Sequence, residues 1–264
     1  MRVAALQLSA QGLSSTKLYN YIRIAQKKGV QVLLLGEYTL NTFFKELETM
    51  PLAMIKEQAI HQMKVLKELS TTYNMVIVAP LVTTRGQKIY KSIVKFAPHS
   101  TGYYEQQILI GYAHWNEKRF FANDAKELKS PHIFKVGSFK FAIMAGYELH
   151  FDEMFASVRQ KNVDAILVPS VSTFESYERW KSLILMRAFT NNCYILRANR
   201  IGEFVEENGH SWKFYGDSLL ASPNGELLEH LGNKEELMIA DLSHTEVVNA
   251  RKMWGFREPL KRRD

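Results

Sequence analysis

The stretch Phe141-Ala-Ile-Met-Ala-Gly-Tyr-Glu-Leu-His-Phe-Asp-Glu153 opens as an unbroken apolar run and closes as a polar, helix-starting one. Continuous apolar runs are typical of strands buried on both faces of a sheet. The switch at Gly146 therefore reads as a sharp strand-to-helix turn, with a helix over 151–160. In α/β proteins such a turn often carries a reactive side chain at the sheet's edge. Gly146 supplies none.

The same alternation runs outward from this point. Residues 2–8 read as a strand, followed by a helix capped at Ser14-Ser-Thr16 and closed by Gly29. Val30–Gly36 is a second continuous apolar run. Apolar positions at Ile55, Ala59, Met63, Leu66 and Leu69 predict a helix over 52–70. Strands follow at 75–84 and 88–97, joined by a hairpin turn at Arg85-Gly-Gln87. Gly137-Ser138 turns into a strand over 139–145. Strand 164–169, helix 177–191, a strand carrying Cys193, and β-rich segments at 216–221, 226–231 and 236–241 complete the pattern, and a last helix begins near Ser243. No linker or repeat interrupts it. The expectation is one domain over 1–264 of α/β class, two packed sheets covered by helices in an α-β-β-α sandwich.

The 264 residues are 46% hydrophobic and 23% charged, as in ordinary globular proteins. No apolar run approaches the ~20 residues needed to span a bilayer. There is no signal-peptide pattern at the N-terminus. A cytoplasmic protein is expected. Lys and Arg outnumber Asp and Glu by 34 to 27. The basic residues are scattered apart from the tail Arg257–Asp264, so nucleic acid is not an expected partner. The single cysteine, Cys193, lies in an apolar strand and reads as a small buried hydrophobe. There is no His-Glu-x-x-His pattern, and His114, His132 and His150 are not at metal-ligand spacing. Neither a metal nor a cofactor is expected.

The order of elements, with several short motifs, resembles the nitrilase, or carbon–nitrogen hydrolase, superfamily over about residues 1–250. The motifs are Leu35-Gly36-Glu37, Phe120-Phe121-Ala-Asn-Asp124, Gly146-Tyr-Glu-Leu-His-Phe-Asp-Glu153, Trp180, Arg187-Ala188, Asn199-Arg-Ile-Gly202, Gly216-x-Ser218 and Pro223-x-Gly225. Members use a Glu as general base, a Lys that stabilises the tetrahedral adduct, and a Cys nucleophile that attacks an amide or nitrile carbon. The resemblance places the base at Glu37 and a second carboxylate at Glu117. It places the Cys position at Gly146 and the Lys position at Gln106, with Lys95 and Lys118 as other cations that loop geometry could bring in. The family's Arg is replaced by His150.

Tyr147, His150 and Ser170 are candidate substrate-binding residues. Ser170, Ser172 and Thr173 are candidate replacement hydroxyls. With neither Cys nor Lys at its matched position, the expectation is a hydrolase fold without covalent catalysis, serving a binding or regulatory role. The alternative is an active hydrolase of small amides or carbamoyl compounds with a non-standard site. The resemblance also implies an amide-like ligand and a homodimer, formed through the face carrying the helix after the Gly146 elbow and the C-terminal segment; Phe151, Met154, Phe155 and Val158 have the spacing of an apolar helix face, which core packing also explains.

Overall fold

The computed structural model describes residues 1–11 and 16–256. The first strand, β1 (Arg2–Gln7), leads through α1 (Thr16–Lys27) to β2 (Val32–Leu35). Ser14 and Ser15, expected as caps of α1, lie outside the described residues, as does the basic tail. Two helices follow, the short α2 (Phe44–Leu47) and the long α3 (Leu52–Thr72). The chain returns as β3 (Val76–Arg85), β4 (Lys88–Ala97) and β5 (Ser100–Glu105). β1, β2 and β3 are parallel neighbours, and β4 and β5 add antiparallel.

One turn of helix, α4 (Glu117–Phe120), precedes the second sheet. That sheet begins with β6 (His132–Val136) and β7 (Phe139–Ile143). Then come α5 (Glu153–Gln160), β8 (Ala165–Pro169), α6 (Tyr177–Asn191) and β9 (Tyr194–Ala198). β10 (Ile201–Val205) and β11 (Ser211–Tyr215) form a separate hairpin. β12 (Leu219–Ala221) and β13 (Leu227–His230) extend the second sheet. β14 (Glu236–Asp241) then crosses back to pair with β1, and α7 (His244–Trp254) follows it. Among the described residues each sheet has six strands, with three parallel ones in its interior.

Side-chain alternation shows how the layers pack. Val3 and Ala5 of β1, Val32 and Leu34 of β2, and Val76 and Val78 of β3 share one core with Phe141, Ile143, Ala165 and Leu167 of the other sheet. Their sequence neighbours Ala4, Leu6, Leu33, Leu35, Ile77 and Ala79 face the other way, onto Leu18, Ile22 and Ala25 of α1 and Val65, Leu66 and Leu69 of α3. The strand register places like-facing residues side by side, Val3 opposite Val32 and Val32 opposite Val76. On the far face of the second sheet lie Met154, Phe155 and Val158 of α5 with Ile184 and Ala188 of α6. The two packed sheets with helices outside are the expected sandwich.

One local expectation changes. The helix expected from 151 begins two residues later and follows a 3-10 turn, Gly146–His150. The Glu148 carboxylate accepts the Ala145 N–H at 2.9 Å and caps that turn, and Phe151 is extended, which breaks the path into α5. Met154, Phe155 and Val158 are fully buried in the core of their own chain. Core packing thus accounts for the apolar spacing of these three residues.

Candidate functional site

The parallel strands of both sheets deliver their C-terminal ends to one place, where ligand sites of open α/β sheets are found. Glu37 follows β2, Gly146 follows β7, and Ser170 follows β8. The Glu37 N–H donates to the Ser170 carbonyl at 3.1 Å, which ties the two sheets together at this point. Gly36 makes that approach feasible: a Cβ there would lie 2.9 Å from the Asn199 carbonyl carbon.

The structure corrects the sequence reading of the cation. Lys91, on β4, is 6% exposed and sits between two carboxylates. Its Nζ lies 3.0 Å from Glu37 Oε2 and 2.7 Å from Glu117 Oε1. Glu117 also accepts the Tyr38 hydroxyl at 3.1 Å. Neither of the other cations considered reaches this cluster. Lys95 is bound to Ser100 Oγ, and Lys118 packs over Gly111. Gln106 is buried, and its backbone N–H donates to the Lys91 carbonyl. Its side chain turns to the Ile108 carbonyl instead of joining the carboxylates. The charge missing at Gln106 is thus supplied from the neighbouring strand.

Asn123 fixes this register. Its amide accepts the Lys91 N–H and donates to the Lys91 and Gln106 carbonyls, 2.8–2.9 Å each.

Burial sets the electrostatics. It pushes the Glu37 carboxyl up to about 7, with Lys91 pulling it down and Glu117 pushing it up. Burial alone would lower the Lys91 ammonium, yet Glu117 and Glu37 together hold it above its ordinary value, so it stays charged. A carboxyl whose folded pKa is raised takes up protons on folding between the two values. Its contribution to stability is complete below the ordinary value of 4.5 and declines as pH rises through about 7. The urea stability of the native protein minus that of a Glu37→Gln variant is therefore expected to fall between these pH values. A flat difference curve would contradict this assignment.

At Gly146 there is no room for a side chain. A Cβ there would meet Ser170 Cβ at 2.7 Å, Ser170 Cα at 3.3 Å and the Pro169 carbonyl at 3.4 Å. Ser170 is itself held in place. Its hydroxyl accepts from Arg197 Nε at 2.9 Å and donates to the Ala198 carbonyl at 3.3 Å. Arg197, fully buried, also donates to Ser172 Oγ at 2.6 Å and lies over the Trp180 ring. The two serines considered as replacement nucleophiles thus have hydroxyls committed to a guanidinium.

Tyr147 and His150 lie on the outer side of the turn. The Tyr147 ring meets Tyr112 edge-on at 6.0 Å, and its hydroxyl is pushed up to about 12 by burial and by its bond to Tyr112. His150 is exposed, shares a hydrogen bond with the Tyr147 carbonyl, and packs against Trp180.

Besides Lys91, two buried charges at the site were not singled out from sequence. One is Arg197. The other is Glu148, which accepts the Tyr104 hydroxyl at 2.7 Å and the Gln107 N–H at 2.7 Å, as well as the Ala145 N–H. Burial raises the Glu148 carboxyl, and these bonds hold it down in part. Its role is to lock β5 to the turn at Gly146.

Aromatic side chains cover the cluster. Tyr38, Phe43, Phe44, Trp115, Phe121, Trp212 and Phe214 pack into one body. The β10–β11 hairpin, absent from the sequence reading, contributes the last two. A cleft of about 810 Å³ opens nearby between Tyr104, Gln106, Asn123, Lys129 and His132, but Glu37, Lys91, Glu117 and Gly146 do not line it. Among the described residues no group of three or more His, Cys, Asp or Glu side chains could hold a metal, and no helix is long and apolar enough to cross a membrane.

Known proteins share this arrangement of strands and helices. The N-carbamoylputrescine amidase of Solanum lycopersicum is 22% identical over 96% of this chain and 89% of its own length. The nitrilase of Pyrococcus abyssi is 28% identical over 95% and 93%. The crystal structure of a carbon-nitrogen hydrolase from Helicobacter pylori G27 superposes with a TM-score of 0.85 at 21% identity, covering 97% of this chain and 94% of that one. The family description "Carbon-nitrogen hydrolase" matches residues 2–252. With two sheets meeting at a buried Glu–Lys–Glu cluster and this match over nearly its whole length, the chain belongs to the carbon–nitrogen hydrolase family.

Proposed function

We propose that this chain has given up covalent acyl transfer and uses the family fold in a binding or regulatory role, with a small amide-like molecule as the ligand its ancestry suggests. The observation that carries this reading is the packing at Gly146. The family's nucleophile position has no side chain, and Ser170 fills the space where one would begin. A carboxylate and an ammonium without a nucleophile can orient and polarise an amide but cannot form an acyl-enzyme. Loss of a hydrolase nucleophile costs on the order of 10⁶ in turnover in a well-studied serine case.

Turnover measured on linear amides, nitriles and N-carbamoyl compounds is expected to equal that of a Glu37→Ala variant. Turnover that Glu37→Ala abolishes would instead establish the second reading, a hydrolase with a non-standard site. That reading draws on the retained Glu37–Lys91–Glu117 cluster, whose carboxyl near pH 7 is suited to proton transfer.

The proposal includes a homodimer and a cytoplasmic setting. Support for the dimer lies in two exposed aromatic side chains that stack on one another at the end of α7, Trp254 and Phe256. Phe189 joins them, its ring 4.9 Å from Trp254. Contiguous apolar surface of this kind marks an association site. Sedimentation analysis is expected to give a dimer that Trp254→Glu dissociates. A monomeric native protein would contradict the assignment.

A further inference from the structure

We propose that a small space beside Glu37 is a built site for a single water molecule, anchored by Asn41. Asn41 is 2% exposed, in the loop between β2 and α2. Its Oδ1 accepts the Val82 N–H at 2.9 Å, which fixes the amide's orientation. Nδ2 must then point the other way, and it is buried with no protein acceptor. An orphaned buried donor of this kind costs about 1–3 kcal/mol, so native structures rarely leave one unsatisfied.

The space next to it is lined by Glu37, Tyr38, Asn41, Pro80, Leu81, Val82, Lys91 and Ser92, and it measures about 10 Å³. One water needs roughly 10–15 Å³, together with two or more polar partners. The lining supplies them. Asn41 Nδ2 donates to the water. The water donates to the Glu37 carboxylate, of which Lys91 engages Oε2. Lys91 gives two of its three N–H bonds to Glu37 and Glu117, so the third is available.

The donor set selects the occupant. An ammonium ion is similar in size but has no lone pair with which to accept from Nδ2. A water accepts and donates at once. The water links Asn41 to the carboxylate and completes its solvation inside the protein. This site exists whether or not the chain turns over an amide.

A high-resolution crystal structure of the unmodified chain tests it. The expected result is one density peak within hydrogen-bond distance of both Asn41 Nδ2 and the Glu37 carboxylate. No peak there, a file of several waters running to the surface, or an Asn41 amide turned onto a protein acceptor would each overturn the assignment. Asn41→Leu keeps the side-chain size but leaves no polar atom there to hold a water. Its structure is expected to lose the peak, and an unchanged peak would also overturn the anchoring role. The unmodified chain carries the test even if this variant does not fold.

Discussion

Replacing Lys91 with Met is expected to destabilise the protein by about 3–5 kcal/mol, the range for removing one partner of a buried ion pair. Lys91 is 6% exposed, and the two carboxylates it bridges, Glu37 and Glu117, are 4% and 0% exposed. Met preserves most of the side-chain volume, so lost packing contributes little. What remains is two acids in a dry site with their shared cation gone. Urea unfolding at neutral pH measures the loss. The sign can be checked with a triple variant, Lys91→Met with Glu37→Gln and Glu117→Gln, which removes the charges along with their partner. Most of the stability is expected to return in it, because an ion cluster replaced whole by neutral groups is often close to neutral in stability. A Lys91→Met loss below about 1 kcal/mol would place the pair in the range of solvent-exposed ion pairs and contradict the geometry.

Installing a cysteine at the turn is the second test. Gly146→Cys is expected to cost about 1–3 kcal/mol, as overpacking of a tight core does. The obstructing atom is Ser170 Cβ at 2.7 Å, bound directly to a backbone that is pinned to Glu37 and Ala198, so it cannot swing aside. Ser170→Gly removes that atom, but it also deprives Arg197 Nε of its acceptor, so the single change carries its own cost. The two substitutions in one chain are expected to be less damaging than their sum by about 0.5–3 kcal/mol, the coupling found between residues in contact. Additivity in a double-mutant cycle would show that Ser170 is not what excludes a side chain at 146.

Much of the fold can be read from apolar runs and their punctuation. β2, β7 and β8 are largely apolar segments because both their faces are covered, and α6 occupies the expected residues 177–191. Glu37 and Glu117 can be found from the resemblance, and the structure brings both onto Lys91. Lys91 itself is hidden because its segment, Lys88-Ile-Tyr-Lys-Ser-Ile-Val-Lys95, carries three lysines, a residue type mostly exposed to water. The signal that could have found it is parity. Lys91 shares a face with Ile93, which points between the sheets, while Val94 and Phe96 point to α3. Lys95 has the same parity but sits toward the strand's end, where it reaches Phe134 and Ser100 instead.

Arg197 is hidden for the opposite reason. In Tyr194–Ala198 it is one charge in a fully buried strand, and only the tertiary structure shows the Ser170 and Ser172 hydroxyls and the Trp180 ring that receive it. The β10–β11 hairpin is hard to read because β10 shows no clean alternation and the long turn gives no tight-hairpin signal, although Ser211–Tyr215 alternates exposed polar and buried aromatic side chains. Its two buried aromatics, Trp212 and Phe214, are what close the site.

Intact-mass spectrometry after rapid quenching from a mixture with an activated amide or ester tests the absence of an acyl-enzyme most directly. The account predicts the unmodified mass at every time point. A mass increase equal to one acyl group, mapped to Ser170 or to any other residue of this chain, would contradict it.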